Sequence, residues 1–146
     1  MTALTDPLAE GAVQAVLEAG ELLADPAAVR SIRAKSETDY VTNVDLAVQE
    51  FLRERLAALA PDVQFMGEEQ DNSALDLTRP CWILDPVDGT TNLIHQFQHS
   101  AISLALAEGG QIVFGVVYNP YTEECFTARR GGGAFRNGVS IQVSAV

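Results

Sequence analysis

The hydrophobic pattern of the chain changes its period once, near residue 60. Before that point, apolar residues recur at helical spacing over residues 7–24 and again over residues 44–59. Asp6 before Pro7 is a favourable cap for the first helix, and Pro61 follows the end of the second. The first 60 residues therefore predict two helices, with a short strand over residues 32–35 between them.

Beyond residue 60 the apolar runs are short and are separated by turn residues. We expect strands at VQFMG, CWIL, AISLALAE, QIVFGVVY, ECFTA, GAFRNG and SIQVS, with a polar loop over residues 70–80. Gly109-Gly110 and Asn137-Gly138 are typical of tight hairpin turns. Helices followed by hairpins favour an α+β fold, with two N-terminal helices packed on a mostly antiparallel sheet, over a repeating βαβ plan.

Composition excludes several classes of function. The 146 residues carry a net charge of −11, whereas nucleic-acid binding needs a basic face. No apolar run approaches the ~20 residues of a membrane span, and the N-terminus lacks the pattern of a signal peptide. Cys81 and Cys125 are isolated, which favours free thiols in a reducing compartment over a disulfide or a metal role. We therefore expect a cytoplasmic protein with no nucleic-acid or membrane partner.

The stretch CWILDPVDGTTN, residues 81–92, runs an apolar strand into two acids. If the strand ends at Asp85, Pro86 can turn the chain so that the Val87 carbonyl and the Asp88 carboxylate point the same way. Such a cluster of hard oxygens suits magnesium or manganese. If a helix begins at about Thr90, nearby backbone amides can hold a phosphate. The same residues also fit a plain surface turn.

A second acidic site favours the metal interpretation. The stretch FMGEE also runs from a short strand into acids, Glu68 and Glu69, with a glycine before them. Two strand ends that both deliver carboxylates indicate a shared metal site.

Together these motifs resemble the inositol monophosphatase family of magnesium-dependent, lithium-sensitive phosphatases, which are related to fructose bisphosphatase. The resemblance rests on WILDPVDGTTN with the upstream GEE, and it extends through DYVTNVD, FGVVYNP and TARRGGGAFRNG, over roughly residues 30–143. It implies the first domain of a layered α/β/α/β/α sugar-phosphatase fold.

The resemblance also implies a set of metal ligands. Glu68, Asp85 and Asp88 would supply carboxylates, and Val87 would supply its carbonyl oxygen. The expected cofactor is Mg²⁺, with Mn²⁺ as an alternative and with Li⁺ and Ca²⁺ as inhibitors.

Substrate and catalytic roles follow from the same resemblance. Asp45 and Thr90 would orient the water that attacks phosphorus, with Glu68 nearby as a base or as a second metal ligand. On the residues alone, Asp45 also fits a capping-box-like helix start with Thr42. The expected substrate-binding residues are Asp88, Gly89, Thr90 and Thr91.

Relatives in this family continue into a second domain, whose WDxAA motif supplies a further aspartate ligand. That motif is absent from these 146 residues, so residues 1–146 are expected to form one N-terminal metal- and phosphate-binding domain. The favoured function is a magnesium-dependent phosphomonoesterase acting on inositol monophosphate or a similar small ester. Nucleotide bisphosphate, fructose bisphosphate and histidinol phosphate are alternative substrates. The rival function is a catalytically silent metal- and phosphate-binding module that acts through association.

Self-association is expected in either case. An apolar surface that is covered in longer relatives needs another cover, and the strand-rich region 101–143 offers an edge strand to a second copy. Net charge opposes association, but it is screened over ~8 Å at physiological salt. The expected partners are therefore a small phosphorylated substrate and a second copy of the chain, as a dimer.

Overall fold

Two helices begin the fold in a computed structural model that describes residues 3–24, 43–68, 70–89 and 99–145. They are α1 (Asp6–Ala24) and α2 (Asn43–Leu59), as the periodicity predicts. Thr5 caps α1, because its Oγ1 accepts a hydrogen bond from the Leu8 amide at 3.2 Å. The predicted cap at Asp6 was wrong, since the helix begins one residue earlier and Asp6 instead pairs with Arg129. The strand predicted at residues 32–35 lies outside the described residues.

The described strands form one seven-stranded sheet whose spatial order follows the sequence. Every neighbouring pair is antiparallel except the first, which is parallel. The predicted α+β fold with a mostly antiparallel sheet is therefore confirmed. The strands are β1 (Gln64–Gly67), β2 (Cys81–Asp88), β3 (Ala101–Glu108), β4 (Gln111–Asn119), β5 (Glu124–Arg129), β6 (Gly133–Arg136) and β7 (Val139–Ile141).

Two of the hairpin turns have the backbone conformation that their sequences predict. Gly109 and Gly110 both have positive φ, 57° and 79°, between β3 and β4. Asn137 and Gly138 likewise have φ of 50° and 81° between β6 and β7. Positive φ at both central residues matches the right-handed twist of the flanking strands, and glycine and asparagine tolerate it.

The helices cover one face of the sheet and leave the other open. Leu104 and Val116 lie beside each other across β3 and β4, and both are buried in one core with residues of α1 and α2. The next residues along these strands point to the opposite side. On that open face Val117, Phe126 and Val139 are 42%, 37% and 68% exposed. Neither described helix is long and apolar enough to cross a membrane.

Candidate metal and phosphate site

Parallel pairing of β1 and β2 brings the two acidic strand ends together. Gly67 is the register partner of Leu84. Glu68 and Asp85 are the next residues along the two parallel segments, so they follow the last paired row side by side. The negative charge of the Glu68 carboxylate raises the pKa of Asp85, so the two side chains lie close enough to interact. The sequence predicted two carboxylate-bearing strand ends, and the parallel register explains why they meet.

A β-bulge in β2 places Asp85 and Asp88 on the same face of the sheet. Asp85 pairs with Ser103 and Asp88 with Ala101, so three steps on β2 oppose two steps on β3. In a regular strand, residues three apart point to opposite faces, and one extra residue reverses that relation. The open face therefore carries both carboxylates.

The bulge also corrects the predicted turn at Pro86. The strand does not end at Asp85 but continues through Pro86 to Asp88. Proline cannot donate to a strand ladder, and a bulge is one of the few places in a sheet that tolerates it. The Val87 side chain is 3% exposed and belongs to the core, which anchors the bulge from the helix side.

Asp85 lies in an environment that opposes its ionisation. Burial is the largest cause that raises its pKa, to about 6, and the negative charges of Glu68 and Asp88 add to it. A hydrogen bond from the Val87 backbone works in the opposite direction. Among the described residues, Asp85 Oδ1 is buried and has no hydrogen-bond partner. Three crowded carboxylates with an unpartnered oxygen need a proton or a cation between them.

The donor chemistry of this group fits a hard divalent cation. All its side-chain donors are carboxylate oxygens, which suit Mg²⁺, Mn²⁺ or Ca²⁺ rather than softer metals. The side chains are not gathered into a coordination shell, however: in the part of the chain that is described, no three or more His, Cys, Asp and Glu residues are placed to hold a metal. The fit therefore rests on shared direction, charge and the unpartnered Asp85 oxygen. The ligand role of the Val87 carbonyl stays a prediction.

Gly89 ends the carboxylate-bearing strand in a conformation that favours glycine. Its φ is 90°, in the left-handed region that side chains disfavour. Its carbonyl accepts a hydrogen bond from Ser100 Oγ at 2.9 Å, and Ser100 is only 3% exposed. Sequence reasoning missed Ser100, because a single serine before a strand carries no signal of its own. Thr90 and Thr91 lie outside the described residues, so their predicted roles stay predictions.

Asp45 occupies the first turn of α2 and is 4% exposed. Gln49, one turn later on the same helix face, is 6% exposed and packs against Gly67, directly before Glu68. The helix face that carries Asp45 is thus directed at the end of β1. Thr42, the other half of the capping alternative, lies outside the described residues.

A separate groove of about 830 Å³ runs between α1 and strands β4 to β6. Its walls are mostly apolar, including Val13, Leu17 and Phe135, and it contains none of the three carboxylates. The size of a groove does not by itself indicate a reaction. The three carboxylates, in contrast, place like charges together, and the pKa of Asp85 is raised. We therefore place the candidate site at the ends of β1 and β2.

Relatives of known identity match nearly the whole chain. The sequence profile of the inositol monophosphatase family matches residues 4–146. An inositol-1-monophosphatase of Rhizobium meliloti (strain 1021) is 43% identical over 136 residues, which are 91% of this chain and 51% of that protein. An inositol monophosphatase of Dictyostelium discoideum is 39% identical over 145 residues, 97% of this chain and 53% of that protein.

Solved structures resemble the fold described above. The extragenic suppressor protein suhB of Bartonella henselae superposes with a TM-score of 0.88 at 36% identity, covering 97% of this chain and 56% of that one. An IMPase/NADP phosphatase complexed with NADP and Ca²⁺ has a TM-score of 0.85 at 28% identity, with coverage of 99% and 56%. A LiCl-soaked inhibitory complex of a staphylococcal inositol monophosphatase-1 has a TM-score of 0.84, at the same identity and coverage.

These matches agree with the helices and the sheet over almost the whole chain. The chain spans about half the length of the curated relatives that it matches. It belongs to the inositol monophosphatase family.

Proposed function

We propose that this chain is the N-terminal metal- and phosphate-binding domain of a magnesium-dependent phosphomonoesterase that acts on inositol monophosphate or a similar small ester. The observation that carries the proposal is the position of Asp85 near the end of the parallel β1–β2 pair, close enough to Glu68 and Asp88 for their charges to raise its pKa, with a buried Oδ1 that has no hydrogen-bond partner among the described residues. Membership of the family supports the reaction class. Two free thiols support a cytoplasmic location.

Each residue has a proposed task. Glu68, Asp85, Asp88 and the Val87 carbonyl would hold Mg²⁺ or Mn²⁺, which when bound neutralises phosphate charge and lowers the pKa of a neighbouring water. We expect competition from Ca²⁺ and inhibition by Li⁺, in keeping with the calcium and lithium complexes of the relatives.

The phosphate is expected at the end of β2. Ser100 Oγ donates a hydrogen bond to the Gly89 carbonyl, which would hold the Gly89 peptide in a fixed orientation. The Gly89 and Thr90 amides would then donate to the phosphate, with Thr91 alongside. Asp45 and Thr90 would orient the attacking water, and Glu68 would accept its proton.

Inositol monophosphate is the favoured substrate, because the matched curated relatives are inositol monophosphatases. The NADP complex of one structural relative keeps nucleotide phosphates as an alternative. A catalytically silent module that binds metal and phosphate is the second candidate function, since the chain spans only about half of its relatives.

Phosphate release should separate these two functions. We expect turnover of inositol-1-phosphate only with Mg²⁺, and a loss on the order of 100-fold or more in Asp88→Asn, because a carboxylate that would hold the Mg²⁺ is removed. Asp71→Asn is the matched control, since Asp71 is an exposed carboxylate in the loop before β2. Turnover that ignores both Mg²⁺ and the Asp88 change would refute the enzyme proposal. Magnesium and phosphate binding without turnover would favour the silent module.

We further propose that the chain associates with a second copy through the β7 edge and the open face. All three residues of β7 are exposed, and β7 has a strand neighbour only on the β6 side within the described sheet. Val117, Phe126 and Val139 place exposed apolar surface beside that edge. Burial of apolar surface between the two copies would stabilise the dimer by ~25 cal/mol per Å². This gain would outweigh the repulsion between chains that each carry a net charge of −11, because salt screens that repulsion.

Light scattering over a dilution series tests this association. We expect a dimer that dissociates on dilution, and Val139→Glu should weaken it on the order of 10-fold by burying a carboxylate. Leu77→Glu adds the same charge at a residue of similar exposure, 63% against 68%, away from the edge, and should leave the dimer unchanged. A monomer at every concentration, or equal effects of both variants, would contradict the proposal.

A further inference from the structure

Side-chain amides surround the turn that carries Glu68. Asn72 Nδ2 donates to the Gly67 carbonyl at 2.8 Å. Gln70 Nε2 donates to the Phe65 carbonyl at 2.9 Å and to Asn72 Oδ1 at 3.0 Å. The side chains of Gln70 and Asn72 thus bind the Phe65 and Gly67 carbonyls of β1.

A third amide closes the turn from the helix side. A Cβ placed on Gly67 would lie 2.6 Å from Gln49 Oε1 and 2.7 Å from Gln49 Cδ, distances that real side chains do not adopt. Gly67 does not have positive φ, so glycine is required here for space rather than for conformation. Gln49 is 6% exposed, so its amide has little room to move away.

β1 lies at the end of the strand order and pairs only with β2 among the described strands. Its ladder therefore fixes it from one side, which leaves the direction of the following residue weakly constrained. The contacts of Gln49, Gln70 and Asn72 act at this point, one residue before the carboxylate that meets Asp85.

We propose that Gln49, Gln70 and Asn72 are positioning residues that fix the direction in which Glu68 leaves β1. This inference rests on the proposed function, in which Glu68 binds Mg²⁺. The amides of Gln70 and Asn72 contact the β1 backbone and each other, and Gln49 packs against Gly67. They act by holding the Gly67–Glu68 backbone in one conformation. The Glu68 carboxylate can then approach Asp85 without a further loss of conformational entropy.

The chain supplies a matched control for this role. Gln64, at the other end of β1, makes the same kind of amide contact: its Nε2 donates to the Asp76 carbonyl at 2.7 Å, and its Oε1 accepts from the Asp76 amide at 2.9 Å. Gln64→Ala therefore removes equivalent hydrogen bonds between the strand and the loop, at the end of β1 that is remote from the Glu68 turn.

The test compares Asn72→Ala with Gln64→Ala by magnesium calorimetry and by thermal unfolding in EDTA. Both variants should lower the unfolding temperature, but only Asn72→Ala should weaken Mg²⁺ binding, on the order of 10-fold. Equal affinity changes in the two variants, or none in Asn72→Ala, would overturn the inference.

A double substitution tests the helix side. Gly67→Ala should weaken Mg²⁺ binding by displacing the turn from Gln49, and Gly67→Ala with Gln49→Ala should leave the affinity low although it relieves the crowding, because the amide that holds the turn is then missing. Recovery of most of the affinity in the double variant would assign Gln49 a role in packing alone.

A metal-free measurement separates this inference from the proposed function. In EDTA, the NMR order parameter of the Glu68 amide should fall in Asn72→Ala and stay unchanged in Gln64→Ala. An unchanged order parameter in Asn72→Ala would refute the positioning role. Wild-type Mg²⁺ affinity in Glu68→Gln would instead refute the proposed function.

Discussion

Replacing Asp85 with asparagine should stabilise the metal-free protein at neutral pH. The pKa of Asp85 is raised to about 6, first by burial and then by the charges of Glu68 and Asp88. The folded protein therefore holds a proton that the unfolded chain releases at about pH 4. The stability that this proton contributes is complete below pH 4 and is lost as the pH rises through 6. Asparagine carries no charge and so avoids that loss.

The expected gain is measured as a difference in unfolding free energy between Asp85→Asn and the wild type, in EDTA. It should be small at pH 4, should grow up to pH 7 and should then stay constant at about 1–2 kcal/mol, after allowance for solvent screening at this partly exposed group. Asp71→Asn is the control with the opposite expectation, because hydrogen bonds from Ser73 lower the pKa of Asp71. A difference for Asp85→Asn that does not change between pH 4 and pH 8 would contradict this account.

A carboxylate that destabilises the metal-free fold is explained if its function is to bind a cation. Functional sites commonly hold groups that the fold alone would not favour. A stability gain in Asp85→Asn together with a loss of metal binding would therefore link the cost of this residue to its function.

Most of the fold could be predicted because local chemistry determined it. The helical spacing of apolar residues fixed α1 and α2 within a residue or two, and Gly109-Gly110 and Asn137-Gly138 adopt the positive φ that their hairpins need. In each case the residue type and the required backbone conformation are coupled at one place in the chain.

The bulge in β2 was not predictable in the same way. A proline between two acids reads as a turn, and the continuing strand depends on pairing with Ser103 and Ala101, far along the chain. The bulge, rather than a turn, places Asp85 and Asp88 on one face. The sequence marked both acids as candidates, but the reason why they share a face came only from the register.

The residues around Glu68 and Gly89 were missed for a related reason. Gln49, Asn72 and Ser100 act through contacts with backbone or space at one distant position, and no spacing along the chain marks them. Ordinary polar residues become part of a site only when the tertiary fold brings them to it.

Calorimetric titration with Mg²⁺ tests the metal site most directly. We expect saturable binding to the wild type and a loss of at least about 10-fold in affinity in both Asp85→Asn and Glu68→Gln, because each change removes a charged oxygen donor from the same group. Asp71→Asn should bind like the wild type, which separates the loss of a ligand from the loss of one negative charge. Circular dichroism of each variant confirms that the fold is retained. Wild-type affinity in both Asp85→Asn and Glu68→Gln would show that the metal site lies elsewhere.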